Sequence, residues 1–212
     1  MSEANIVPLG NPSVVGLAGF GLTMIIHQLH NLELCSIGPV IACGMVFGGL
    51  AQLLAGFLEQ KRGDNFGYAV FTAYGAFWIV YSLIQLFNKF DVYPSSTTDI
   101  GYLMIVWTLY TIILWGASLF IHGAMSFTFT LLVLGFILLD LAHFGYPAMG
   151  KVGAFVLIFS ALNAWYIMAH IIFLDIFGRD VLPVGEPWLT PRLLPNAKLV
   201  SRKKRENHNF MS

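Results

Sequence analysis

The chain has 212 residues, of which 57% are hydrophobic and only 10% are charged, and its formal net charge at pH 7 is zero. Water-soluble domains carry about a quarter charged residues, so this composition excludes a surface that faces water on all sides. It predicts a lipid-embedded protein of one domain, with no nucleic acid among its partners.

Six apolar segments are long enough to cross a bilayer, whose hydrocarbon core needs about 20 helical residues. Their apolar runs are continuous rather than alternating, which favours helices over the strands of a barrel. In chain order the segments are 13–32, 39–58, 66–88, 101–121, 126–145 and 150–177. The sequence therefore predicts an all-α membrane protein with six transmembrane helices.

The positions of lysine and arginine predict the orientation of these spans. Nine of the eleven basic residues lie on the side that holds both chain ends, and only Lys89 and Lys151 lie on the other. Because basic residues accumulate on cytoplasmic loops, we expect both termini in the cytoplasm of a multi-pass protein of the cell membrane. The expected organisation is a cytoplasmic segment 1–12, a six-helix transmembrane domain 13–178 and a cytoplasmic tail 179–212, disordered after about residue 190.

The first span opens with Asn11-Pro12, a pair that predicts a sharp helix start. Asparagine is a favoured N-cap and proline is favoured in the first turn. The second span carries Gly44, Gly48 and Gly56 at intervals of four or eight residues. Small residues at that spacing let helices approach closely in lipid, so ordinary helix packing is the simplest interpretation of these glycines.

Each span also carries polar or aromatic side chains along one helical face. One interpretation is hydrogen bonding between helices; the other is a conduit that the six faces share. Hydroxyl, amide and aromatic groups, with no lysine or arginine in mid-span, favour the conduit because they bind a permeant weakly enough to release it. The candidate pore-lining residues are Asn11, Thr23, His27, Asn31, Gln52, Thr111 and Asn163.

Asp140 is the most deeply placed charged residue, near the end of the fifth span and one turn before His143. An acid inside a membrane is a functional candidate by default, and proton handling by Asp140 and His143 is one hypothesis. The other is that the two side chains simply pair, or that Asp140 lies among the lipid headgroups. Glu59 and Asp175 fall near predicted cytoplasmic ends, where we expect water to be close.

Five histidines lie in or beside the spans, which raises the alternative of a haem-binding membrane electron carrier. His122, His143 and His170 belong to different helices and could pair as axial ligands. The motifs of soluble phosphate-binding, zinc-dependent and serine hydrolase sites are missing from the sequence. We therefore expect no enzyme activity, no metal site and no cofactor.

Several stretches in order along the chain resemble the acetate uptake transporter family, which includes bacterial acetate/succinate permeases and fungal ammonia/acetate exporters. These stretches are NPSVVGLAGFG at 11–21, LHNLEL at 29–34, GMVFGGLAQLLAGFLEQKRGDNFG at 44–67, AVFTAYGAFW at 69–78 and FGRDVLPVGE at 177–186. Ser13 and Val14 stand where the family usually has alanine and proline. The resemblance spans the chain from residue 11 to about residue 187.

The resemblance implies a hexamer in which each protomer has its own pore for acetate and related small monocarboxylates, with succinate as a further candidate, by a channel or a proton-coupled mechanism. It implies an apolar constriction made by Phe20, Tyr74 and a leucine of the fifth span. The segment FTFTLLVL, which resembles the family's motif, favours Leu131 as that leucine. Leu132 is favoured instead by its place on the same helical face as His143. Export of ammonia or ammonium is the alternative transport function, and a scaffold or sensor that conducts nothing is a further one.

Overall fold

The structure, a computed structural model, describes residues 10–190, and within that range it is helical and contains no strand. Each of its six long helices has the length and apolar composition to cross a membrane, so the predicted all-α fold with six spans is confirmed. The helices are α1 (Ser13–Asn31), α2 (Ile37–Arg62), α3 (Asn65–Lys89), α4 (Thr97–Ser118), α5 (Gly123–His143) and α6 (Pro147–Phe177). Segment 1–9 and the tail predicted to be disordered lie outside the described residues.

Local side-chain caps start several of these helices. The Asn11 side chain accepts a hydrogen bond from the Ser13 backbone N–H at 3.0 Å, which confirms the predicted cap at the start of α1. Asp64 accepts from two N–H groups at the start of α3, and Ser96 forms a capping box with Asp99 at the start of α4. These caps satisfy backbone donors that have no partner inside their own helix.

The six helices form a ring around a common axis. Close backbone contacts join α4 to α5, α5 to α6, α6 to α1, α1 to α2 and α2 to α3. Side chains close the remaining gap between α3 and α4. The Tyr74 hydroxyl lies 2.7 Å from Thr111 Oγ1, and the Tyr110 hydroxyl donates to the Ala69 carbonyl at 3.1 Å.

The second helix contains a π-helical segment, Val46–Ala51, immediately before Gln52. A π turn contains one residue more than an α-helical turn, so it changes the direction in which the side chains after it point. Such turns often lie at functional sites. Gly48, Gln52 and Glu59 are all buried despite this change of phase. The π segment therefore helps to determine which side chains of α2 face the ring interior.

Several glycines permit close helix approaches, including the predicted Gly44, Gly48 and Gly56 of α2, and Gly19 and Gly75 are two further examples. A Cβ atom on Gly75 would lie 2.6 Å from the Leu53 backbone nitrogen, and one on Gly19 would lie 2.5 Å from the Phe47 carbonyl oxygen. Real side chains do not approach backbone atoms this closely, so α2 could not keep its position against α3 or α1 if either residue had a side chain. These contacts also place Phe20 beside the helix that carries Gln52.

Gly75→Ala is expected to destabilise the folded protein, by about 1–3 kcal/mol, because the new methyl group forces α2 and α3 apart. Gly116→Ala is the matched control, since Gly116 is also helical but a Cβ atom added there would have no other atom within 4 Å. That control should be neutral or stabilising by about 0.5–1 kcal/mol. Thermal unfolding in detergent measures both, and equal midpoints for the two variants would contradict the packing argument.

Candidate functional site

Two cavities lie inside the ring, one toward each end. The first, of about 400 Å³, is lined among others by Ser13, Gln52, Gly67, His122, Thr128 and His170, and we call it the Gln52 cavity. The second, of about 420 Å³, is lined among others by His27, Asn31, Gln85, Thr97, His143 and Lys151, and we call it the His143 cavity. The starts of α1, α3 and α5 surround the first, and their ends surround the second.

An apolar layer separates the two cavities. Along α1, Phe20 lines the Gln52 cavity and His27 lines the His143 cavity, while Met24 between them lines neither. The same order holds on α3, where Trp78 lies between the two cavities, and on α5, where Phe136 does. Seven residues of helix span about 10 Å, so the layer is about one to two helical turns thick.

Phe20 and Tyr74 form the wall of the Gln52 cavity that faces this layer. Their rings meet edge to face with centroids 5.9 Å apart, and both side chains are buried. Leu132 lines the same cavity, whereas Leu131 does not and is only half-buried. Of the two leucines that the sequence left open, the motif-based Leu131 faces away from this cavity and Leu132 faces it, because each residue of an α-helix turns the side chain by about 100°.

Gln52 is the candidate polar contact beside this apolar wall. It lines the cavity and is fully buried, yet neither its amide nitrogen nor its amide oxygen has a hydrogen-bond partner among the described residues. A buried amide without a partner is unfavourable by about 1–3 kcal/mol, so it is poised to bind a polar molecule that enters. The turn that carries it follows the π segment directly.

The other predicted pore-lining residues fall into two groups. His27 and Asn31 line the His143 cavity, where His27 Nε2 lies 2.9 Å from the Tyr81 hydroxyl and Asn31 donates to Gln28 at 2.8 Å. Four predicted lining residues line neither cavity: Asn11, Thr23, Thr111 and Asn163.

Three of those four residues make hydrogen bonds that hold the structure together. Asn11 caps α1 and accepts from Arg62, Thr111 bonds Tyr74, and Asn163 donates to Ala124 and Thr128 at 2.7 Å each. The hydroxyl of Thr23 is buried without a partner among the described residues, between α1 and the π segment. For Thr111 and Asn163, hydrogen bonding between helices is thus the interpretation that the geometry supports.

Asp140 and His143 lie at the far end of α5. Asp140 Oδ2 accepts from the Thr108 hydroxyl at 2.7 Å, which joins α5 to α4, while Asp140 Oδ1 is buried without a partner in the described range 10–190. His143 lines the His143 cavity, and its Nδ1 is likewise buried and unpaired within that range. Of the histidines considered as haem ligands, His122 and His170 line the Gln52 cavity and only His143 lines the other.

Glu59 is a residue whose environment the sequence did not predict. It is fully buried rather than near water, and its carboxylate accepts from Ser13 Oγ and lies 3.2 Å from Arg62 Nη1. The same Arg62 nitrogen donates to Asn11 Oδ1 at 2.6 Å. This network ties the start of α1 to the end of α2 at the mouth of the Gln52 cavity, which Ser13 lines.

Comparison with known proteins identifies the class. The model of the GPR1/FUN34/yaaH family matches residues 2–175, so the chain belongs to that family. It is similar to the succinate-acetate/proton symporter SatP of Escherichia coli (strain K12), with 33% identity over 181 residues that cover 84% of this chain and 96% of that protein. The family, judged by these relatives, consists of transporters and channels rather than enzymes.

A solved structure and a fungal relative complete the comparison. The chain matches a structure described as the bacterial acetate channel SatP with a TM-score of 0.81 and 32% identity, covering 84% of this chain and 100% of that one. The ammonia transport outward protein 2 of Saccharomyces cerevisiae is 29% identical over 176 residues, 78% of this chain and 62% of the yeast protein. The six-helix ring is therefore a known channel fold.

Removing Arg62 is expected to destabilise the protein more than neutralising Glu59, because Arg62→Met leaves a buried carboxylate without its cation. Loss of one partner of a buried pair costs about 3–5 kcal/mol, and the half-exposed arginine places this case at the lower end. Glu59→Gln keeps a partner for Ser13 and should cost about 1 kcal/mol. Thermal unfolding of both variants and of the double variant tests this, and a double variant less stable than Arg62→Met alone would contradict it.

Proposed function

We propose that this protein moves acetate and related small monocarboxylates across a membrane, through the interior of each protomer. The observation that carries the proposal is the arrangement of two cavities end to end, closed from each other by an apolar layer beside Phe20, Tyr74 and Leu132. The similarity to a succinate-acetate/proton symporter and to an acetate channel supports this substrate class. Succinate is a second candidate substrate for the same reason.

The chemistry of the Gln52 cavity suits a small acid. The free amide of Gln52 can donate to a carboxyl oxygen, while the neighbouring rings of Phe20 and Tyr74 accept the methyl group. Beyond this wall a bare carboxylate loses its water, which costs several kcal/mol without replacement hydrogen bonds. The protonated acid loses less, so the apolar layer favours passage of the acid together with its proton.

We propose Asp140 and His143 as proton-handling groups at the opposite end. His143 lines the His143 cavity, whereas Asp140, one turn earlier on α5, lines neither cavity. Both side chains keep a buried polar atom without a partner in the part of the chain that the structure describes. Buried ionisable groups that border a water-accessible cavity mark proton pathways in many transporters. Whether the protein works as a channel or as a proton symporter depends on whether these groups must change protonation in each cycle.

The proposed orientation places the Gln52 cavity toward the cytoplasm and the His143 cavity toward the outside of the cell. It rests on the basic residues, since Lys61 and Arg62 lie at the Gln52 end and Lys89 and Lys151 at the other. Segments 1–12 and 179–212 are then cytoplasmic. We further propose a hexamer in the cell membrane, as the family resemblance implies, which native mass spectrometry of the purified protein would test.

Phe20→Ala is expected to raise the acetate flux through reconstituted protein by about tenfold or more. The smaller side chain admits water to the apolar layer and lowers the dehydration cost by at least about 1.4 kcal/mol. Uptake of labelled acetate into proteoliposomes measures it, and Phe155→Ala, on a lipid-exposed face of α6, is the matched control. Unchanged flux in Phe20→Ala would remove Phe20 from the pathway.

The same proteoliposomes separate the candidate substrates. Labelled methylammonium should show little uptake beside labelled acetate, and the reverse result would favour the ammonia function that the yeast relative's name describes. No flux of either compound at any pH would favour a non-conducting role.

Asp140→Asn is expected to weaken the stimulation of acetate uptake by an inward proton gradient, because an amide cannot carry a proton and only the proton on the acid itself then crosses. Asparagine keeps an oxygen for the Thr108 hydroxyl, so the contact between α4 and α5 survives. Asp175→Asn, at an exposed position near the end of α6, is the control. Equal stimulation in both variants would exclude Asp140 as a proton carrier.

A further inference from the structure

Two histidines line the Gln52 cavity and have no role in the proposal above. His122 precedes α5 and His170 lies in the last turns of α6, so they come from different parts of the ring. Each uses one ring nitrogen to hold the fold. The Met125 backbone N–H donates to His122 Nδ1 at 3.1 Å, and His170 Nδ1 lies 2.7 Å from the Leu182 carbonyl oxygen.

These contacts determine the tautomer of each neutral ring. A backbone N–H can only donate, so His122 Nδ1 must be the acceptor and the ring proton lies on Nε2. A carbonyl oxygen can only accept, so His170 Nδ1 must carry the proton and its Nε2 keeps a lone pair. Among residues 10–190 the side-chain hydrogen bonds of both rings are made at Nδ1, which leaves each Nε2 without one.

Both rings line the cavity, so the groups they have left for a molecule inside it are an N–H donor on His122 and a nitrogen acceptor on His170. A carboxylic acid has the complementary groups, a carbonyl oxygen that accepts and a hydroxyl that donates. We propose that His122 and His170 form a binding site for the protonated acid in the Gln52 cavity, where the acid and its proton are held together. This inference rests on the proposed function, since it names the form of the substrate that the cavity binds.

The surrounding charges are compatible with this site. Asp180, on the segment that follows α6, has Oδ1 3.3 Å from His170 Nδ1, and Asp64 lines the same cavity. Burial lowers the pKa of His122, and the neighbouring His170 lowers that pKa further. His122 is therefore neutral at pH 7 and remains the donor through Nε2.

The proton can move within the site without any other reactant. When the acid's O–H bond breaks, its proton bonds to His170 Nε2, which leaves an imidazolium and a carboxylate that His122 still contacts. The net charge of the pair does not change, and the reverse transfer restores the neutral acid before it enters the apolar layer. At this site the acid can therefore change between its carboxylate form, which is stable in water, and its protonated form, which enters the apolar layer.

Asparagine substitutions test the site because they keep each structural contact and remove Nε2. Asparagine is a strong N-cap, so His122→Asn retains an acceptor for Met125, and His170→Asn retains an amide donor for the Leu182 carbonyl. His30→Asn is the matched control. His30 Nδ1 lies 2.9 Å from the Cys35 carbonyl oxygen, and His30 lines neither cavity.

The measurement is initial acetate uptake into proteoliposomes of the full chain at equal internal and external pH, from about pH 5 to pH 8. We expect the half-saturating acetate concentration to rise with pH in the wild type. At about pH 6 each variant should raise the half-saturating acetate concentration about tenfold, which is the effect of losing one hydrogen bond. The half-saturating concentration of each variant should also depend less on pH than that of the wild type. His30→Asn should follow the wild-type profile.

The outcomes separate this inference from the proposed function. If the wild type carries acetate and both variants keep its half-saturation and pH profile, the histidine site is wrong and the transport function stands. If the wild type carries no acetate at any pH, both are wrong. If one variant cannot be produced as folded protein, the other still tests the histidine site, because each variant removes one of the two contacts with the acid.

Discussion

The cost of taking a carboxylate out of water governs the organisation of this protein. A layer containing Met24, Trp78 and Phe136 separates two cavities, and Phe20, Tyr74 and Leu132 line the side toward the Gln52 cavity. A charged permeant loses its hydration there, which costs several kcal/mol unless other groups replace the water. Within the layer the Trp78 ring N–H is buried without a hydrogen-bond partner among residues 10–190, whereas the polar side chains that line the cavities, such as Gln52 and His143, lie on either side of the layer. In the proposed function, this layer excludes the bare carboxylate while the cavities on both sides hold the acid.

Helix packing positions that layer. Without a hydrophobic driving force in lipid, helices associate where small residues allow close contact. Gly19 brings α1 against the carbonyl of Phe47, and Gly75 brings α3 against the backbone of Leu53. Phe20 follows Gly19 and Tyr74 precedes Gly75, so the glycines that permit close packing also determine where the rings of Phe20 and Tyr74 lie.

Buried polar groups in the ring serve two distinct purposes. Most of them have partners and connect helices, as Asn163 connects α6 to α5 and the Glu59 network connects α1 to α2. A smaller set lacks partners within residues 10–190, including Gln52, Asp140 and His143. Satisfied groups stabilise the ring, whereas unsatisfied groups in contact with a cavity are available to a permeant. A missing partner together with a place in a cavity wall, as at Gln52 and His143, makes a side chain available to a permeant.

Sequence alone determined the helical class, the number of spans and the cap at Asn11, because continuous apolar runs and N-cap chemistry are local properties. It also placed Phe20, Tyr74 and Gln52 on faces that prove to line one cavity. Only the tertiary structure decided between Leu131 and Leu132, showed that Thr111 and Asn163 bond between helices, and buried Glu59. Those outcomes depend on helix rotation, on the π segment of α2 and on which helices become neighbours. Such features arise from contacts between residues far apart in the chain, which a linear pattern does not encode.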